Sequence, residues 1–250
     1  MVRLLRQLRE SALSKPNFIR YVSYALGEII LIAVGILIAV QIDDWNESRN
    51  MRKLEINALE AIAASLEEST NNLEDNRDAE TRWLGYNQLI LDHLDTCRPY
   101  SPELDQAFGS YFWTSKAELA VGAYEQLKSH GLSLISNSEI QRQITYLFEV
   151  RFPKTTSENQ GWDDKLIISA IYPEHVKLFR KYYPEDWSVL EDEYARPIDY
   201  PALCNNETFK NILAEIIGLR QFNIATTQRT LQEIQELNLA IVAELKRINS

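Results

Sequence analysis

Glycine and proline are scarce in this chain, and their scarcity excludes the fold classes that turn most often. The 250 residues include eight of each, whereas a sandwich or barrel of short strands needs a turn about every ten residues. No proline occurs between Pro16 and Pro99, so no proline forces a helix to end in that stretch. No segment alternates polar and apolar residues strictly enough to predict a strand. We therefore expect an all-α fold.

Basic residues are also in deficit. The chain has 26 Lys and Arg residues against 36 Asp and Glu residues, a net charge of −10 at pH 7. Because nucleic-acid binding requires a basic surface, we expect no nucleic-acid partner. Residues 1–42 carry five basic and two acidic side chains, whereas residues 43–250 carry 21 and 34. A basic head and an acidic body on either side of one apolar run are typical of a protein that crosses a membrane once.

The apolar run has the length of a bilayer's hydrocarbon core. It covers residues 21–40, and Ile29–Val40 is apolar without interruption. Twenty residues at about 1.5 Å rise give roughly 30 Å. A buried core helix would keep a polar stripe, and a cleaved signal peptide would end in a small residue where Val40 stands. Residues 17–42 are therefore predicted to form a transmembrane helix that contacts the lipid bilayer.

The basic residues of the head all precede this run, which sets the expected orientation. By the positive-inside rule the N-terminus lies in the cytoplasm and residues 43–250 lie outside it. Residues 1–16 are predicted to form a basic amphipathic segment suited to anionic headgroups, or else a disordered basic tail. About twenty cytoplasmic residues cannot form an enzyme domain, so any cytoplasmic output must pass through a partner.

Glu28 is the ionisable residue inside the apolar stretch, and it shares a helix face with Leu31, Gly35 and Ala39. Gly35 and Ala39 have the small-xxx-small spacing that lets two membrane helices approach closely. Carboxylates in spans are costly and usually face protein rather than lipid. These four residues predict a helix–helix interface with Glu28 hydrogen-bonded inside it. The alternative is a protonated or snorkelling Glu28 near the headgroups.

Two segments of the sequence carry a family resemblance. One is GEIILIAVGILIAVQIDDWNE, residues 27–47, with the basic leader before it. The other, looser one is AYEQLKSHGLSLISNSEIQRQITYLFE, residues 123–149. They resemble an uncharacterised family of bacterial single-pass membrane proteins. The resemblance implies a bacterial membrane protein of unassigned function, with no catalytic residues to carry over. Together with the orientation expected from the basic residues, it predicts a protein of the bacterial inner membrane whose C-terminal domain lies in the periplasm.

The body, residues 43–250, reads as one domain of helices. Its first helix continues from the span, and its last one begins at Asn205 or Asn206 and runs to the C-terminus. The polar stretch Asn71–Asp78 is expected to weaken the first helix, and Ser136-x-x-Glu139 predicts a capping box. Apolar residues recur at helical spacings in both long helices: Leu59, Ile62, Leu66 and Leu73 in the first, and Leu231, Ile234, Ile241, Leu245 and Ile248 in the last. We expect an antiparallel helical bundle on a transmembrane helix.

The sequence offers no pattern typical of a catalytic or cofactor site. The three histidines, His93, His130 and His175, are far apart, and no Glu-x-x-His pair exists for a di-iron site. The HExxH, P-loop, GxGxxG and GxSxG patterns are absent as well. We expect no metal site, no cofactor and no enzymatic activity.

The segment 182–201 is the best candidate for a binding loop, and it is expected to be irregular. Its twenty residues include five aromatic and six acidic side chains, a combination that is frequent at interfaces. The candidate residues are Tyr182, Tyr183, Trp187, Tyr194 and Tyr200. The alternative is an ordered crossover whose aromatic side chains close the end of the bundle.

Cys97 and Cys204 are expected to form a disulfide. Cys97 lies at the far end of the first long helix, and Cys204 lies just before the last one. If the last helix returns antiparallel, both thiols reach the same end, in a compartment where disulfides persist. The alternative is two separately buried free thiols.

These features predict a non-enzymatic membrane-anchored protein that acts by contact. The leading hypothesis is an interaction or scaffold protein, or an accessory subunit of a larger membrane assembly, whose partners are other membrane proteins or further copies of itself. The alternative hypothesis is an extracytoplasmic ligand-sensing module that signals through a membrane partner.

Overall fold

The computed structural model describes residues 15–156, 165–185, 188 and 193–249, with side chains described from residue 20 onward. Helices dominate this part of the chain, in agreement with the all-α prediction. The α-helices are α1 (Lys15–Asp95), α2 (Leu104–Ser110), α3 (Gly122–His130), α4 (Ser138–Tyr146), α5 (Tyr172–Leu178), α6 (Tyr200–Cys204) and α7 (Glu207–Asn249). The described residues also include two π-helical segments, Leu147–Arg151 and Ile167–Ile171, and one 3-10 turn, Leu132–Leu134.

The chain divides into two compact units, an N-terminal unit (Met1–Leu54) and a C-terminal unit (Glu55–Ser250). The described part of the N-terminal unit belongs to α1, and nearly all of its side chains are exposed. The C-terminal unit contains the buried core of the protein. Its organisation therefore decides where the candidate sites lie.

Within the C-terminal unit, α1 and α7 run antiparallel. Arg220 pairs with Glu80 at 2.6 Å, and Lys210 pairs with Asp95 at 3.4 Å, so the numbering rises along one helix as it falls along the other. The buried positions of α1 are separated alternately by four and three residues: Glu55, Leu59, Ile62, Leu66, Ser69, Leu73, Asn76, Glu80, Trp83, Asn87, Ile90 and Leu94. The same alternation continues through α7 from Phe209 to Ile248. This is the 3.5-residue repeat of a coiled coil.

The core has two apolar clusters with a polar middle. One cluster contains residues 59–73 of α1 and 231–248 of α7, together with side chains from α3 and α4. The other contains Ile90 and Leu94 with side chains from α2, α6 and the start of α7, together with Phe179 and Ala195. Between them the buried positions are polar apart from Trp83: Asn76, Glu80 and Asn87 on α1, and Arg220, Asn223, Thr227 and Thr230 on α7. Sequence periodicity located the apolar seam but not this polar layer.

The expectation that Asn71–Asp78 weakens the first helix is wrong, because α1 is continuous through it. Its polar side chains hold a segment without regular secondary structure, residues 114–121, against the helix. The Asn72 amide donates to Glu118 O at 3.1 Å, and the Asn76 amide donates to Ser115 O at 2.8 Å. Side-chain amides thus satisfy backbone groups that have no strand partner.

The expectation of no strand is also wrong. Strands β1 (Phe179–Tyr182) and β2 (Tyr194–Pro197) pair antiparallel, with Arg180 opposite Arg196. Segment 182–201, expected to be irregular, contains β2 and the start of α6. Strands of four residues are too short to show a period in the sequence.

The capping box predicted at Ser136 is not formed. Asn137 caps α4, because its side chain accepts from the Glu139 and Ile140 amides. Ser136 instead donates through both its amide and its hydroxyl to the carboxylate of Glu55, at 2.7 Å each. Ser136 therefore hydrogen-bonds to the buried carboxylate of Glu55 on α1 and does not cap α4.

Gly109 in α2 lies directly against the backbone that leads into β2. A Cβ at this position would overlap backbone atoms of Glu193 and Tyr194. We expect Gly109→Ala to lower the free energy of unfolding by about 1–3 kcal/mol or more, since backbone cannot give way as a flexible side chain does. Urea unfolding of the detergent-solubilised protein, followed by circular dichroism, measures this loss.

Gly218→Ala is the matched control for that substitution. Gly218 lies on the exposed side of α7, and an added Cβ would meet nothing within 4 Å. Its replacement is expected to raise stability by up to about 1 kcal/mol through helix propensity. Equal effects at the two glycines would contradict the close approach of the β2 backbone to α2.

Candidate functional site

The apolar run of α1 contains no buried residue. Among the described residues one helix is long and apolar enough to cross a membrane, and its most apolar stretch has no buried residue. Leu31 is 74% exposed and Leu37 62% exposed. Exposed apolar patches of this size mark contact with lipid or protein.

The four residues predicted to form a helix–helix interface lie on this exposed part of α1. Glu28, Leu31, Gly35 and Ala39 are all exposed. A Cβ added at Gly35 would meet nothing within 4 Å. The described part of the chain therefore leaves room at the stripe for another helix, and the interface stays a prediction.

Cys97 and Cys204 form a disulfide in the structure, with their Cα atoms 5.5 Å apart. Cys97 follows the C-terminus of α1, and Cys204 is the last residue of α6. The hydroxyl of Tyr200 donates to Arg98 O at 3.0 Å, and its ring lies 5.3 Å from that of Tyr100. The disulfide and these contacts attach α6 to the end of α1.

Beside the disulfide, the buried carboxylate of Asp105 accepts three hydrogen bonds. The hydroxyl of Tyr182 donates at 2.6 Å, Arg196 Nε donates at 2.9 Å, and the hydroxyl of Tyr100 donates as well. Arg196 also lies over the Tyr182 ring at 4.2 Å. These groups join α2 to both strands of the hairpin.

The three groups that donate to Asp105 all have raised pKa values, so they stay protonated. Burial, followed by the hydrogen bond to Asp105, raises the pKa of Tyr100 and of Tyr182. The hydrogen bonds to Asp105 and Tyr182 raise the pKa of Arg196. The cluster therefore holds one carboxylate with neutral phenols and a charged guanidinium, which suits a structural role.

The structure places the residues of the predicted binding loop in different surroundings. Tyr182 and Tyr200 make the contacts described above, and the Tyr194 ring lies 5.8 Å from that of Tyr182. Tyr183 is 56% exposed, and Trp187 lies outside the described residues. For Tyr182, Tyr194 and Tyr200 these contacts favour the alternative of an ordered crossover.

Sequence reasoning missed the buried ion pair at the centre of the polar layer. Arg220 donates to Glu80 at 2.6 Å and to Asn87 Oδ1 at 2.8 Å. It also donates to the carbonyls of Tyr111 and Trp113, at 3.1 and 2.5 Å. A sequence signal did exist, because Arg220 lies seven residues before Thr227 and four after Ile216, in phase with the apolar seam.

A small cavity adjoins this ion pair. Its volume is about 20 Å³, and its apolar walls include Phe112, Ile171 and Ile216. A space of that volume has room for about one water molecule. It is too small for a metabolite.

His175 lies in an aromatic cage and is only 2% exposed. Its ring centroid lies 4.8 Å from Phe112, 5.2 Å from Phe179 and 5.7 Å from Tyr111. Within the described residues, neither its Nδ1 nor the Tyr111 hydroxyl has a hydrogen-bond partner. Burial, with a smaller contribution from Lys181, lowers the pKa of His175 to about 4.

This lowered pKa predicts a loss of stability in mild acid. The unfolded chain binds a proton on His175 below about pH 6.5, whereas the folded protein binds it only near pH 4. The contribution is therefore fully present above pH 6.5 and falls by about 3 kcal/mol as the pH drops to 4. Urea unfolding across this pH range measures the slope.

His175→Phe separates this residue from the other titrating groups. The variant keeps an aromatic ring in the cage and should show a flatter dependence of unfolding free energy on pH than the natural protein. Parallel curves for the two proteins between pH 4 and 6.5 would show that His175 does not titrate as inferred.

One side of the segment around α5 is an exposed ridge of Ile168, Tyr172 and Val176, which are 74%, 51% and 52% exposed. We call these three residues the α5 ridge. Residues 165–182 carry four basic side chains and one acidic one, in a body that is acidic overall. Exposed apolar residues with flanking charge are typical of protein-contact surfaces.

The described part of the chain holds no group of three or more His, Cys, Asp or Glu side chains placed to bind a metal ion. Comparison of the chain with protein-family models, curated proteins and solved structures finds no match. The function is therefore inferred from the sequence and structure of the chain itself.

Proposed function

We propose that this chain is a single-pass membrane-anchored interaction protein, a scaffold or an accessory subunit of a larger bacterial membrane assembly. The observation that carries the proposal is the exposed apolar length of α1. Exposing it to water costs about 25 cal/mol for each Å² of apolar surface. Insertion into a bilayer removes this cost, and a helix satisfies its own backbone hydrogen bonds there.

Two observations support an orientation with the C-terminal unit outside the cytoplasm. The basic residues of the head precede the apolar run, as the positive-inside rule requires of a cytoplasmic N-terminus. The C-terminal unit contains the Cys97–Cys204 disulfide, and such bonds persist in oxidising compartments. If the protein has this orientation in the inner membrane of a bacterium, its helical bundle lies in the periplasm.

The α5 ridge supports a role in contact with other proteins. Tyr172 combines a large contact area with low conformational entropy, as side chains at protein interfaces often do. The alternative of a ligand sensor has less support, because the apolar cavity beside Arg220 has room for only about one water molecule. We assign the protein no enzymatic role and no cofactor.

A fusion of alkaline phosphatase after Ser250 tests both parts of this proposal in one strain. The reporter is expected to be active, because that enzyme folds only outside the cytoplasm. Purification of the fusion in mild detergent is expected to yield a stoichiometric partner, and Tyr172→Glu should release it by placing a charge on the ridge.

A fluorescent protein fused at the same point is the control, and it should stay dark outside the cytoplasm. The reverse pattern, an inactive phosphatase and a bright fluorescent fusion, would overturn the orientation. A partner that binds the natural protein and Tyr172→Glu equally would exclude the α5 ridge as its contact surface.

A further inference from the structure

One flank of the α1–α7 pair is open within the described part of the chain. A groove of about 590 Å³ runs there between the two helices. Residues 67–77 of α1 form one wall and residues 228–238 of α7 form the other. The other flank is occupied, since Asn72 holds the segment 114–121 and Glu233 pairs with Arg151 at 2.5 Å.

The two walls of the groove differ in chemistry. The α1 wall presents the exposed carboxylates of Glu67 and Glu74, which only accept hydrogen bonds when ionised. It also includes the Thr70 hydroxyl and Arg77, whose guanidinium pairs with Asp78 at 3.0 Å. The α7 wall presents the side-chain amides of Gln228, Gln235 and Asn238, which can donate. The two walls lie at the same level, because both line one groove.

We propose that a second copy of this chain fills the groove, with a two-fold axis along it, so that four helices form one coiled coil. This symmetry places Glu67 and Glu74 on the α1 wall of each copy against the amide side chains on the α7 wall of the other. Every carboxylate then faces donors rather than another carboxylate, as a self-complementary interface requires. An apolar occupant such as lipid would leave these groups unpaired at a cost.

The relative direction of the two copies rests on the proposed function. Two chains that enter one membrane with the same orientation have parallel α1 helices, and each α1 then lies beside an antiparallel α7 of its partner. The 3.5-residue repeat of both helices keeps the seam in register along the contact. Anchoring in one bilayer also raises the effective concentration of the copies.

The test measures the mass of the full-length protein in mild detergent by light scattering over a range of concentrations. The natural chain is expected to be dimeric. Gln228→Glu combined with Gln235→Glu places carboxylates opposite Glu67 and Glu74, and should raise the dimer dissociation constant at least tenfold. Adding Glu67→Lys and Glu74→Lys to that variant should restore the dimer.

Gln126→Glu on the exposed surface of α3 is the control for added charge, and it should leave the mass unchanged. A monomeric natural chain would overturn the proposal. A dimer that ignores the groove charges but is lost in Gly35→Ile would also overturn it, and would place self-association in the span. An inactive phosphatase fusion would instead refute the orientation, whatever the dimer shows.

Discussion

Replacing Arg220 with methionine is expected to lower the free energy of unfolding by about 3–5 kcal/mol. The substitution leaves the carboxylate of Glu80 buried, with only 3% of the residue exposed, and removes its charged partner. It also removes the donor to the carbonyls of Tyr111 and Trp113. Urea unfolding monitored by circular dichroism in detergent measures the loss.

Two further variants show whether the loss comes from the ion pair. Glu80→Gln in the Arg220→Met background should recover part of the stability, because a neutral amide replaces the buried charge and can still accept from the Ser115 amide. Arg229→Met, at an exposed pair with Glu233 on the same helix, should change stability by less than about 1 kcal/mol. If Arg220→Met were no worse than Arg229→Met, the ion pair would not stabilise the polar layer.

Removing the disulfide is expected to have an effect of similar size. Cys97 and Cys204 are 107 residues apart in sequence, and closing a loop of that length is worth about 4–5 kcal/mol in chain entropy. The free energy of unfolding of the double variant Cys97→Ser/Cys204→Ser should be lower than that of the natural protein by most of this amount. Because α6 is attached to α1 beside the Asp105 cluster, tyrosine near-ultraviolet dichroism should decrease before helicity does.

The natural protein treated with a reducing agent is the companion measurement. It should match the double serine variant, and the variant itself should not respond to the reagent. A double variant as stable as the natural protein would mean that the contacts of Tyr200 with Arg98 and Tyr100 hold this end without the covalent bond.

The span and the long helices could be predicted from the sequence because each depends on a local pattern. An uninterrupted apolar run from Ile29 to Val40 and an apolar seam through Leu59, Leu66 and Leu73 need no knowledge of distant residues. The position of the two cysteines at helix ends was readable in the same way. Each of these features follows from helical geometry alone.

The strand pair, the capping residue of α4 and the role of Asn72 and Asn76 could not be predicted. In each case a residue distant in sequence provides the partner: β2 for β1, Glu55 for Ser136, and segment 114–121 for the two asparagines. Local patterns assigned segment 182–201 to an irregular loop, Ser136 to a helix cap and Asn71–Asp78 to a weak point. Tertiary contacts overrode each local preference.

The sequence by itself determined that the chain is helical, that it has one run able to cross a membrane, and that an apolar seam follows that run. These properties are periodic and local. The tertiary structure alone decided that Arg220 would pair with Glu80, that Asp105 would gather two tyrosines and an arginine, and that one flank of the α1–α7 pair would stay open. Whether a charge is buried or a groove stays open depends on which helices and strands pack together. The free energy of that packing comes from contacts between residues far apart in the chain.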